Sequence, residues 1–300
     1  MSLSHWILLF ALGLLWGSSF VFNEYLLFFL SPIQIIFLRL AIGAIALLAY
    51  CLIRQLSLRF SLRDWLIIFG FGLINNTLPF TLISIGQQYA TGGLASILNA
   101  ATALFAVPIA ALFIANEPLR SHRALGVMVG FIGVVIAVGI ENLSQMRLEN
   151  LGQLWILVAA ICYACATVFA RRTLGHIPNQ ALATGMMVCA AIQITIYSLI
   201  AGEITTLTLN TNIILSSLGY GVLSTALAYL LYFHILTNAG ASWVLLVTLI
   251  VPIFAITLDA LFLRQLVSLT EVIGFLVIFF GLILIDGRLT TYLKAKRSRS

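Results

Sequence analysis

Apolar residues run in ten long blocks with short polar breaks between them: 5–23, 31–53, 65–88, 92–115, 121–140, 151–171, 180–201, 212–235, 241–263 and 269–288. Each block is about the length an α-helix needs, at 1.5 Å per residue, to cross roughly 30 Å of hydrocarbon. The pattern therefore predicts ten spanning helices. The blocks also repeat. Pro108, Glu117, Gly126 and Gly133 in the fourth and fifth return as Pro252, Gln265, Gly274 and Gly281 in the ninth and tenth. Pro32 and Pro178 open the second block of each five, and Trp16-Gly17 aligns with Tyr163-Ala164.

The predicted fold is all-α integral membrane, with ten transmembrane helices as two inverted five-helix repeats. The first unit covers 1–140, the second 151–288, and a basic tail 289–300. An odd number of crossings per unit turns the second unit upside down, an architecture that recurs in secondary transporters, whose substrate sits between the halves near the bilayer midplane. Helix one lacks a charged n-region and a small-residue cleavage site, so it reads as a span and not as a removable signal peptide.

Composition agrees. Of the residues 62% are hydrophobic and 8% charged, with mean hydropathy +1.14, against about 25% charged in soluble domains. With both termini cytoplasmic, inside segments hold Arg54, Arg59, Arg63, Arg120, Arg123, Arg171, Arg172, Arg288, Lys294, Lys296, Arg297 and Arg299, and outside loops hold only Arg147 and Arg264. That asymmetry sets orientation in a cell (inner) membrane. The net charge of +6 then reflects topology and not nucleic-acid binding.

Ionisable and amide groups inside spans are the default site candidates. Arg39 lies about 12 Å from the outer end of helix two, and Asp259 lies near the outer end of helix nine; the two are candidates for a gate pair, against a structural reading in which Arg39 snorkels outward or bonds backbone carbonyls. Asn75, Asn76 and Pro79 put two amides and a proline-freed carbonyl in mid-membrane. Asn99 and Thr102 precede Pro108, and Thr248 precedes Pro252, as matched cavity walls. Trp16, Phe20, Tyr229, Tyr232 and Trp243 are candidate aromatic lining. Glu117 is expected to cap helix five. Gln87 and Gln88 fall near the outer boundary, where interfacial solvation accounts for them. Cys51, Cys162, Cys165 and Cys189 all lie in spans; neither they nor the four histidines form a metal-binding or catalytic constellation in the sequence, and no cofactor is expected.

The motifs Trp16-Gly-Ser-Ser-Phe20, Phe37-Leu-Arg39, Glu117-Pro-Leu119 and Thr225-Ala-Leu-Ala-Tyr-Leu-Leu-Tyr-Phe233 resemble those of the drug/metabolite transporter superfamily, specifically its ten-helix EamA type. The resemblance implies cytosolic termini, a central cavity lined by the first, third and fourth helices of each half, and movement of amino acids or similar metabolites, commonly outward. Tyr163 and Gln265 depart from the pattern, standing where Trp and Glu are usual. Partners are expected to be a small-molecule substrate and membrane lipids, the chain being a monomer or homodimer. The alternatives are proton-coupled drug or metabolite efflux, or a lipid scramblase or membrane enzyme. Hydrolase, metalloprotease and phosphate-loop motifs are missing from the sequence, and the polar residues gather in inner helices.

Overall fold

The computed structural model describes residues 3–114, 119–139, 148–240, 244 and 246–286. It forms ten helices: α1 (Leu3–Leu27), α2 (Pro32–Ile53), α3 (Leu62–Gly86), α4 (Gly92–Phe113), α5 (Ser121–Val138), α6 (Leu148–Thr173), α7 (Asn179–Ile200), α8 (Thr211–Ala239), α9 (Val247–Leu263) and α10 (Leu269–Asp286). Nine are long and apolar enough to cross a membrane; α9, described from Val247, is shorter. Polar residues in the breaks start several of them. The side chains of Ser31, Ser61, Thr91 and Asn210 accept the N–H of Gln34, Asp64, Leu94 and Ile213, satisfying orphan donors at each N-terminus.

The packing maps onto itself when the first five helices are exchanged for the last five. Helix α1 packs on α8 and α9, and its counterpart α6 packs on α3 and α4; α2 pairs with α7, and α5 with α10. Side chains follow the same exchange. Trp16 of α1 meets Tyr232 of α8 in a tilted pair at 5.4 Å, while Tyr163 of α6 meets Phe80 of α3 at 6.4 Å.

The repeated glycines form the α5–α10 seam. A Cβ on Gly126 would stand 2.6 Å from the Gly281 carbonyl oxygen, and one on Gly133 would stand 2.6 Å from the Ile278 nitrogen. Backbone meets backbone here, the close approach that small residues allow between membrane helices. Similarly, Gly13 and Gly17 admit Ile250 and Phe254, bringing α9 onto α1.

Three helices contain π-wound segments: α9 at its end, over Asp259–Leu263, and α3 and α8 where the halves correspond. In α3 the segment Leu73–Thr77 is a π-turn, with the Leu78 N–H bonded to the Leu73 carbonyl; in α8 the segment Gly219–Leu227 is likewise π-wound. Such turns often mark functional sites. Pro79, which lacks a donor, follows two residues after the wide turn of α3. In α4 the helix breaks at Ala100–Ala101 and not at Pro108, which sits inside a continuing helical segment.

Candidate functional site

Asn75 and Asn76 lie on the wide turn of α3, and both amide nitrogens donate to the Tyr229 hydroxyl of α8 at 3.4 Å. Asn75 also donates to the Asn76 side-chain oxygen at 3.0 Å. Asn76 is fully buried and Tyr229 nearly so. The expected residues Asn75, Asn76 and Tyr229 are thus brought together at the junction of the two halves, with buried Pro79 one turn further along α3. Trp16 and Tyr232 form the aromatic pair beside them. Phe20 is buried on α1, and its carbonyl accepts the Gln87 amide at 3.0 Å.

Arg39 is buried in α2 at 6% exposure. Its Nε donates to Thr225 Oγ1 at 3.0 Å and its Nη1 to the Tyr220 hydroxyl at 2.8 Å. The guanidinium carbon lies 3.4 Å from the Phe80 ring centroid and 4.3 Å from that of Tyr220. These cation–π contacts, worth about 2 kcal/mol each when desolvated, offset part of the charge's burial. The wide turn of α8 helps to build this nest: Thr225 donates its hydroxyl hydrogen to the Tyr220 carbonyl five residues back. Glycine brings the helices close enough, since a Cβ on Gly221 would stand 2.6 Å from Ile42 and 3.2 Å from the Arg39 carbonyl oxygen.

The candidate ion pair between Arg39 and Asp259 does not form. Helix α8, not α9, packs on α2, so Arg39 meets Tyr220 and Thr225. Helix α9 lies on α1 and α4, so Asp259 meets other groups. Its Oδ2 accepts the N–H of Gly93, while Glu24 of α1 accepts the N–H of Gly92 at 2.5 Å. The point a Gly92 Cβ would occupy lies 2.9 and 3.0 Å from the Asp259 oxygens and 3.0 Å from Glu24 Oε2. Two buried carboxylates, one from each half, therefore grip the positive N-terminus of α4. Asp259 Oδ1 is enclosed without a partner.

Next to this latch, the Asn23 amide donates to Gln87 Oε1 at 3.0 Å, and the Tyr220 hydroxyl lies 3.5 Å from Asn23 Oδ1. Gln87 is buried at 5% exposure, so the interfacial reading of it is corrected. Glu24 escapes a hydropathy reading that ends helix one at Asn23, whereas α1 continues to Leu27 and draws it inside. A signal exists in the sequence: a carboxylate one residue beyond an apolar block, followed by six more apolar residues, Tyr25 to Leu30.

The remaining expected residues are more dispersed. Thr102 donates its hydroxyl hydrogen to the Asn99 carbonyl at 2.7 Å across the break in α4, and Asn99 Oδ1 is enclosed without a partner. Thr248 is half-buried on α9. Trp243 and Glu117 lie outside the described residues. A cleft of about 530 Å³ opens between α1, α2, α7 and α8 toward the other end of the molecule, lined by Leu14, Leu15, Leu231 and the polar Tyr50, Gln180 and His234.

The model of the EamA-like transporter family matches residues 4–139 and again 150–286. The chain belongs to the EamA-like transporter family. Among similar proteins, an uncharacterized transporter of Archaeoglobus fulgidus is 26% identical over 93% of this chain and 98% of its own. A probable amino-acid metabolite efflux pump of Salmonella typhimurium is 24% identical over 89% of each chain. A solved crystal structure superposes with TM-score 0.69 at 19% identity, covering 94% of this chain and 96% of that one. An EamA-type membrane transporter with two family units, and not an enzyme, is therefore what the described helices build.

Proposed function

We propose that the protein is a secondary transporter that moves small amphipathic metabolites, amino acids or solutes like them, by alternating access and in the outward direction across the cell membrane. The observation that carries this reading is the meeting of α3 and α8, each interrupted by a π-wound segment, at the buried Asn75–Asn76–Tyr229 cluster. Interrupted helices that present polar groups at a repeat interface are the usual setting of a transporter's substrate site. The name of the Salmonella relative, a probable amino-acid metabolite efflux pump, supports amino-acid metabolites as cargo and efflux as direction.

Odd crossings per unit and the arginine and lysine bias support an inverted second unit with both termini cytoplasmic. In that orientation the Glu24–Asp259 latch is outside and the cleft at Tyr50, Gln180 and His234 faces the cytoplasm. Transport then requires Asp259 to release Gly93 as the halves rock. A proton-driven version of the same cycle rests on the two carboxylates that converge at Gly92.

Counterflow into proteoliposomes, with labelled amino acids tested one at a time, is the direct experiment. Saturable uptake that is lost in Asn75→Ala is the expected result, and equal flux into protein-free vesicles sinks the reading. Repeating the assay with and without a pH gradient separates facilitated from proton-driven movement. A strain overproducing the protein should also gain resistance to toxic analogues of the solute identified.

A further inference from the structure

We propose that Arg39 is the anchor for a carboxylate on the transported molecule. This inference rests on the transport reading above and narrows its substrate class to monocarboxylates, zwitterionic amino acids among them.

Among the described residues the charge has no anion of its own. Its hydrogen-bond partners are two hydroxyl oxygens, Thr225 Oγ1 and the Tyr220 hydroxyl, and its remaining neighbours are two rings. The two buried carboxylates among the described residues, Glu24 and Asp259, bond to the N-terminus of α4 and not to Arg39. A cation buried among helices usually pairs with an opposite charge, and such residues mark substrate pathways. Here the opposite charge is left for something else to supply.

The guanidinium also has donors to spare. Of its five N–H groups, one on Nε and one on Nη1 are used; Nη2 has no partner and is not among the enclosed unpaired atoms. Among the described residues Nη2 is therefore the unpartnered and not fully enclosed edge of the guanidinium. Contacts with the Phe80 and Tyr220 rings restrict approach over the guanidinium faces, which leaves the in-plane edge. That edge is the geometry in which an arginine fork receives a carboxylate.

The position suits a cargo that bridges to the amide cluster. Phe80, which touches Arg39, follows Pro79 on α3 and meets Tyr163 of α6. Asn76, bonded like Asn75 to the Tyr229 hydroxyl, stands four residues, about one helical turn, before Phe80. A molecule with its carboxylate at Nη2 thus has neutral amides and hydroxyls within reach for an ammonium or hydroxyl group. The arrangement favours one negative group: a second would find no further buried cation in the described spans.

Counterflow with reconstituted full-length protein tests this, using the twenty L-amino acids, each paired with its C-terminal amide as the carboxylate-free match. For whichever acid is carried, the amide should be carried about 10–100-fold less well, the value of a charge-assisted hydrogen-bonded contact. In Arg39→Gln the acid and its amide should become equivalent, and Arg39→Lys should keep a reduced preference. Tyr220→Phe keeps the charge and should retain the preference, which guards against loss through misfolding. Equal transport of acid and amide by the wild type, or an acid preference that survives in Arg39→Gln, overturns the assignment and leaves the transport reading standing. No counterflow of any acid or amide overturns both.

Discussion

Replacing Gly274 by alanine tests the seam between α5 and α10 directly. The added Cβ would sit 2.5 Å from the Ala137 nitrogen, 2.6 Å from its Cβ and 2.7 Å from its Cα. Ordinary carbon contacts lie at about 3.5–4.0 Å, so the helices must part by about 1 Å. No rotamer change relieves this, because the obstructing atoms are backbone and Cβ. With as many contacts as one buried leucine, roughly 40–60 atom pairs at about 0.1–0.2 kcal/mol each, such a gap forfeits a quarter to a half of the attraction. The loss is on the order of 3 kcal/mol, against which alanine's helix propensity returns about 1 kcal/mol. A net loss of about 2 kcal/mol lowers Tm by about 4 °C in a chain of this size. Gly70→Ala is the matched control, since Gly70 is also inside a helix but nothing stands within 4 Å of its Cβ position. It should raise Tm by about 2 °C. Thermal denaturation in detergent, followed with a maleimide dye that reports exposure of the buried thiols of Cys51 and Cys189, compares the two. Equal Tm values would refute backbone-to-backbone packing at this seam.

Asn76→Ala removes one of two amide donors from the Tyr229 hydroxyl and should lower counterflow at least about 10-fold while costing only about 1–2 kcal/mol of stability; undiminished flux would remove this cluster from the site. Asp259→Ala frees the Gly93 N–H and should open the outer end: a cysteine at Asn23, in a background without other cysteines, should then react with an impermeant maleimide about 10-fold faster than in the same variant with Asp259 intact. An unchanged rate would show that the latch does not hold the gate. For orientation, cysteines at the exposed positions Ser57 and Thr205 should label from the cytoplasmic and external sides respectively, and labelling of both from one side would contradict the proposed topology.

Much of this architecture is written in local chemistry. Ser31, Ser61 and Thr91 mark helix starts because a hydroxyl can satisfy the first N–H groups, and the breaks they sit in are visible as polar interruptions. The repeated Gly126, Gly133, Gly274 and Gly281 announce a contact, although only the packing shows that they face one another. Asn75 and Asn76 stand out because an amide pair in an apolar block needs partners. Pairings between distant elements are harder to read. Arg39 and Asp259 share a plausible depth, yet which helices adjoin decides their partners, and that depends on glycines at Gly43, Gly221 and Gly17 whose neighbours no local pattern reveals. Glu24 and Gln87 look like boundary residues by hydropathy; their burial follows from the N-terminus of α4 reaching between α1 and α9. Tyr220 and Thr225 fall five apart, a spacing that aligns only in a π-wound segment.

The π-turn at Leu73–Thr77 makes the position of the site a matter of counting as well as composition. Its bonding loop encloses one residue more than an α-turn does, so everything beyond it on α3 is indexed by that surplus. Deleting a single residue there would leave hydropathy, caps and motifs intact while rotating Pro79 and Phe80 by about 100° around the helix axis. Phe80 would swing off both Arg39 and Tyr163. Two family members with the same signature residues but a different tally between Leu62 and Pro79 would therefore present different cavities to their cargo.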